Sequence, residues 1–161
     1  MNLALASPNL YPNTFHAEGR NPCSETYGGL CRMLQDMLIQ SWGNKIRIFP
    51  AVTNEWEDAV FHKLRAEGGF EVSAKRESGK TVWVRIKNNA GEPCIIEPGF
   101  DDKFSVKGGK LSKLEPGIYK LSIKKGEEAF LMTETLGEKG VVSAIKAGSG
   151  DYNFYGLKKS N

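Results

Sequence analysis

The sequence predicts a mainly β (α+β) fold, an antiparallel β-sandwich preceded by one amphipathic helix. Three observations carry that prediction. Between residues 45 and 133, apolar residues recur with a period of two in short runs. Turn residues separate those runs roughly every 8–12 residues, the spacing of a sandwich. Ahead of them, residues 27 to 41 repeat at helical spacing instead.

Residues 1 to 21 are rich in Asn, Pro and Gly and have no period, which predicts an extended loop. Asn21-Pro22 is a helix start, with Asn as N-cap and Pro at the first helical position; Ser24 is the alternative cap. Tyr27, Leu30, Cys31, Leu34, Met37, Leu38 and Ser41 then line one apolar face, and Gly43-Asn44 stops the helix. Lys45 to Phe49 alternates and ends at Pro50, and Val60 to Ala66 is a further strand candidate. Phe70 to Ala74 and Thr81 to Ile86 flank Glu77-Ser78-Gly79-Lys80, a hairpin signal. Asn88 to Glu92 predicts a turn before Cys94-Ile95-Ile96. Tyr119 to Ile123 and Ala129 to Met132 flank Lys125-Gly126-Glu127 as a last pair of strands. Three segments follow: 1–44, loop and helix; 45–133, β-sandwich; 134–161, a Gly-rich stretch with Tyr152, Phe154 and Tyr155 that the pattern leaves unassigned.

Composition narrows the function classes. With 40% hydrophobic and 25% charged residues, the 161-residue chain can bury a core and is not intrinsically disordered in character. The net charge of +3 comes from 22 basic and 19 acidic residues that are interspersed, so no nucleic-acid partner is expected. No run approaches the ~18 apolar residues of a membrane span, so no membrane partner is expected. Met1 to Pro12 lacks the basic and apolar regions of a signal peptide. Cys23, Cys31 and Cys94 are an odd set without ligand spacing, and Asp101-Asp102 has no flanking ligands; neither a metal nor a cofactor is expected. An apolar helix face needs a partner, so dimerisation through residues 27 to 42 is an expectation.

Two stretches carry a resemblance. The first runs Asp36-Met37-Leu38-Ile39-Gln40-Ser41-Trp42-Gly43-Asn44-Lys45-Ile46-Arg47-Ile48-Phe49-Pro50-Ala51. The second is Trp56 followed by Leu64-Arg65-Ala66-Glu67-Gly68-Gly69-Phe70-Glu71-Val72. Over roughly residues 9 to 100 the chain resembles the junction of catalytic barrel and C-terminal β-domain in glycoside hydrolase family 95, the α-L-fucosidases. The resemblance implies an (α/α)₆ barrel upstream, with residues 1–44 as its last loop and helix. It implies hydrolysis of terminal α-L-fucose with inversion, a glycan substrate reached through that barrel, and a periplasmic or secreted bacterial protein. The family's general acid Glu and two Asn residues would precede Met1. The isolated chain is then a structural accessory domain, inactive alone.

The family's remaining Asp lies in an I-D-G-N-F-G-like segment, where this chain has Ser24-Glu25-Thr26-Tyr27-Gly28-Gly29. Glu25 thus stands on the Asp and would help activate the attacking water. Its place in the first helical turn equally suits a carboxylate interacting with the helix dipole. The loop carrying His16 and Arg20 would line the barrel mouth, which makes both candidates for sugar binding, although each also reads as an ordinary loop residue. His62, in a strand, reads as structural. Trp42 and Trp56 flank the junction and favour packing, whereas Trp83 is either core or an exposed sugar platform. The residues leave three functions open: this accessory domain, a free-standing carbohydrate-binding module using Trp83 or the Tyr152 cluster, and an interaction sandwich.

Overall fold

The computed structural model describes residues 16–18, 21–101 and 103–133. The chain divides into two compact units, with the boundary inside the helix between Leu34 and Gln35. In the first unit, β1 (Ala17–Glu18) and β2 (Asn21–Pro22) pair antiparallel, Ala17 opposite Pro22. Asn21-Pro22 is therefore strand, not helix start. Helix α1 (Glu25–Leu38) begins right after Ser24, the alternative cap, whose carbonyl accepts from Tyr27 N at 3.3 Å. None of its residues is buried; Tyr27, Leu30, Leu34, Met37 and Leu38 are half-buried and Cys31 and Met33 exposed, so one face is apolar as the period demands.

The helix ends three residues before Ser41, the last residue of its apolar period. Ile39–Gln40 instead forms β3, paired antiparallel with β4 (Ile46–Ile48) so that Ile39 faces Ile48. Gly43 and Asn44, both at positive φ (71° and 57°), turn this hairpin rather than cap the helix. Strand pairing and burial of Ile39, 6% exposed, outweigh the local helical period.

The second unit is a two-sheet sandwich. Its strands continue as β5 (Ala59–Ala66), β6 (Phe70–Glu77), β7 (Lys80–Asn88), β8 (Cys94–Glu97), β9 (Phe104–Lys107), β10 (Lys110–Glu115), β11 (Ile118–Ser122) and β12 (Glu128–Thr133). One sheet has the order β10-β11-β8-β4-β3 and the other β5-β6-β7-β12-β9. The predicted strands between 45 and 133 are present, and β9 and β10 add to them. The pairing is antiparallel except β4 with β8, which run parallel with Ile46 opposite Ile96. That pair corrects the purely antiparallel expectation: β4 joins its sheet from a distant stretch of chain, and a crossover connection permits parallel pairing.

The core lies between the sheets. Ile46, Ile48, Cys94, Ile96 and Leu121 come from one; Phe61, Phe70, Val72, Ala74, Val84, Ile86 and Leu131 from the other. Each large side chain so buried contributes about 1.5–3 kcal/mol. The β6–β7 turn is Ser78-Gly79, both at positive φ, as the hairpin signal requires. At the β5–β6 turn Gly68 and Gly69 have φ of 80° and 74°, and a Cβ on Gly69 would press into the Ala90 side chain. Asn88, 1% exposed, joins three segments at one end. Its Nδ2 donates to Glu92 O (3.0 Å) and Ile123 O (3.1 Å), and its Oδ1 accepts from Gly91 N (2.7 Å).

Candidate functional site

Two of the three residues singled out for chemistry, His16 and Glu25, lie near the start of α1. The short β1–β2 hairpin returns the chain so that Cys23 N donates to His16 O at 2.8 Å. That contact brings the His16 ring to the first helical turn, where Nδ1 lies 3.2 Å from Thr26 Oγ1. When the threonine hydroxyl donates, the ring carries its proton on Nε2, leaving that nitrogen a donor. Glu25, the acidic residue of the first turn, is exposed and adjacent in sequence to Thr26. The helix end therefore combines a carboxylate, which accepts protons or sugar hydroxyls, with an oriented imidazole. Arg20 lies outside the described residues. Sequence spacing alone gives no sign of the His16–Thr26 bond, because a hairpin closes the gap between them.

The remaining candidates are now distinguishable. Trp83 is buried at 1% exposure, with its ring 5.9 Å from Phe130, so it is no platform. Trp56 is half-buried, its carbonyl accepting from Arg76 Nε at 3.3 Å. Trp42 corrects the packing expectation: it is 56% exposed, because the β3–β4 turn projects it beyond the sheet. The Arg47 guanidinium lies 4.3 Å from its ring centroid, a contact not anticipated from the sequence. His62 Nδ1 sits 3.4 Å from Ser73 Oγ, which also accepts from Lys63 N at a β5 irregularity, in keeping with a structural role. Asp102, Tyr152, Phe154 and Tyr155 lie outside the described residues. Among the described residues, no group of three or more His, Cys, Asp or Glu could hold a metal ion. Cys23 and Cys94 are buried and Cys31 exposed, all free thiols; burial pushes the Cys94 thiol up to about 12.

No curated protein matches the chain. The family model for the glycoside hydrolase family 95 C-terminal domain matches residues 40–131, more than half of the chain. The match begins in β3 and ends in β12, so it spans nearly the whole two-sheet body and continues past the point where the sequence resemblance weakens. The chain belongs to glycoside hydrolase family 95, through that family's C-terminal domain.

Proposed function

We propose that this chain is the accessory, structural domain of a bacterial hydrolase of α-L-fucosides or related glycans, and that it is not catalytically complete alone. The observation that carries this is the coincidence of the family match, 40–131, with the sandwich from β3 to β12. The sandwich buttresses a catalytic barrel, and α1 presents its apolar face to barrel helices. Half-buried Leu30, Leu34 and Met37, with Met33 at 38% exposure, suit such packing. A homodimer through that face is the arrangement we propose for the chain by itself. Glu25 contributes a carboxylate at the barrel mouth that helps orient the attacking water, with His16 and Arg20 holding sugar hydroxyls. A periplasmic or secreted location follows from family analogy alone.

The test is the thermal midpoint of a family 95 barrel with and without this chain covalently joined at its C-terminus. A rise in midpoint and in soluble yield supports the proposal. An unchanged midpoint, with the sandwich unfolding independently, contradicts the buttress role. Sedimentation of the isolated chain, with Leu34→Glu as the control, tests the dimer.

A further inference from the structure

The β3–β4 turn carries two features that the accessory role does not use. One is Trp42, more than half exposed and yet held in place. Arg47 Nη1 donates to the Trp42 carbonyl at 3.0 Å, and the same guanidinium lies over the indole. Backbone and ring are thus fixed by a single side chain, one ring face taken by the cation and the ring still accessible. The other feature is a cleft of about 560 Å³ whose lining includes Ser41, Asn44, Lys45, Glu67, Glu92 and Phe70. Its volume lies within the range of small-molecule sites.

The two are connected. Lys45 lines the cleft and its Nζ lies 2.7 Å from Glu97 Oε2. The same carboxylate oxygen lies 3.9 Å from Arg47 Nε, and Arg47 carries Trp42. Ser41 and Asn44, the cleft residues on either side of Trp42 in sequence, belong to the same turn. Ser41 Oγ accepts from Glu67 N at 3.0 Å, which ties the turn to the opposite sheet. The locus is thus built before any ligand arrives, which lowers the ordering cost of binding.

The chemistry of the locus favours a sugar over a protein. The buried core of a protein interface is more apolar than the surface around it, and a contiguous exposed apolar patch is its usual mark. Here the only other exposed large hydrophobic residue described in this unit is Leu114, on β10, at the opposite edge of the sheet from β3. Trp42 itself is held by Arg47, and the cleft beside its turn sets amide, hydroxyl, carboxylate and cationic groups among the apolar Ile46, Phe70, Pro93 and Ile95. An exposed indole on the same turn as a cleft of mixed polar and apolar lining complements a pyranose, which has an apolar C–H face and a rim of hydroxyls. We infer that the turn from Ser41 to Arg47 is a binding site for neutral oligosaccharide, a glycan-holding function separate from any chemistry at α1.

The experiment titrates the full 161-residue chain with lactose and, separately, 2′-fucosyllactose, following the indole N–H signals by NMR. The Trp42 signal is assigned with Trp42→Phe. A saturable shift of that signal in the millimolar range is expected. Trp42→Ala should weaken binding by about tenfold or more, and Trp42→Phe should restore much of it. Asn44→Gly, which keeps the positive φ and removes only the amide, should weaken binding severalfold. Folding of each variant is checked by its unchanged Trp83 signal. Equal binding of the two sugars supports the site and speaks only against a fucose preference, so it is distinguishable from failure of the fucosidase proposal. Absence of a saturable shift with both sugars, or Trp42→Ala binding like the parent, overturns the inference. So does protection of Trp42 from acrylamide by a family 95 barrel but not by sugar, which would make the residue a protein contact.

Discussion

Replacing Asn88 by Ala removes three hydrogen bonds at one stroke, those with Glu92 O, Ile123 O and Gly91 N. The site is 1% exposed, so water does not readily replace the lost partner. Each buried polar group left unsatisfied costs about 1–3 kcal/mol. Taking the low end for all three gives roughly 3 kcal/mol, a large share of the ~5–15 kcal/mol that holds a domain together. For a sandwich of this size that is a drop of roughly 12–24 °C in Tm. The backbone bonds Asn88 N to Glu127 O and Gly126 N to Asn88 O remain in the variant, so the strands should still pair. Asn89→Ala is the internal control, because Asn89 Nδ2 is buried with no partner among the described residues and its removal should cost little. The assay is urea unfolding followed by tryptophan fluorescence, reporting on buried Trp83. A loss below about 1 kcal/mol for Asn88→Ala, or equal losses at 88 and 89, would refute the reasoning.

Other outcomes follow from the same structure. Gly108→Ala should destabilise by about 1–3 kcal/mol, since φ is +81° and a Cβ would collide with the Glu128 carbonyl; thermal melts check it. With a thiol reagent near neutral pH, exposed Cys31 should react in the folded chain and buried Cys94 only after unfolding. Cys94 is held neutral by burial, its pKa moved from 9.0 to about 12. Its contribution to stability is therefore complete below pH 9 and is lost as pH rises towards 12, a component of alkaline destabilisation that Cys94→Val should abolish in pH-dependent melts.

The strands at the middle of the sandwich were legible because both alternation and turn chemistry marked them: Phe70 to Ala74, Ser78-Gly79 and Thr81 to Ile86 agree at every level. β9 and β10 are hard to read from sequence because β9 offers only four residues, Phe104-Ser105-Val106-Lys107, none of them buried, and β10 is almost wholly exposed, with Lys110 and Lys113 in its run. Charge on edge strands suppresses pairing with other chains and hides the strand from a hydrophobic pattern. The C-terminal end of α1 is not legible locally, because Ile39 fits a helical period and a strand equally, and only pairing with Ile48 decides. The parallel β4–β8 contact links residues about fifty positions apart, beyond any local signal. At the candidate site, only the family resemblance singles out Glu25, while the His16–Thr26 bond and the Arg47–Trp42 stack arise from chain reversals that spacing does not encode.

The proposed role of the chain is support and not chemistry. The most direct measurement is turnover of an aryl α-L-fucoside by the purified 161-residue chain, against a matched blank and the Glu25→Gln variant. No release above the blank is expected for either protein, because one carboxylate without a partner acid cannot complete an inverting hydrolysis. Sustained release by the parent chain that Glu25→Gln abolishes would contradict that role.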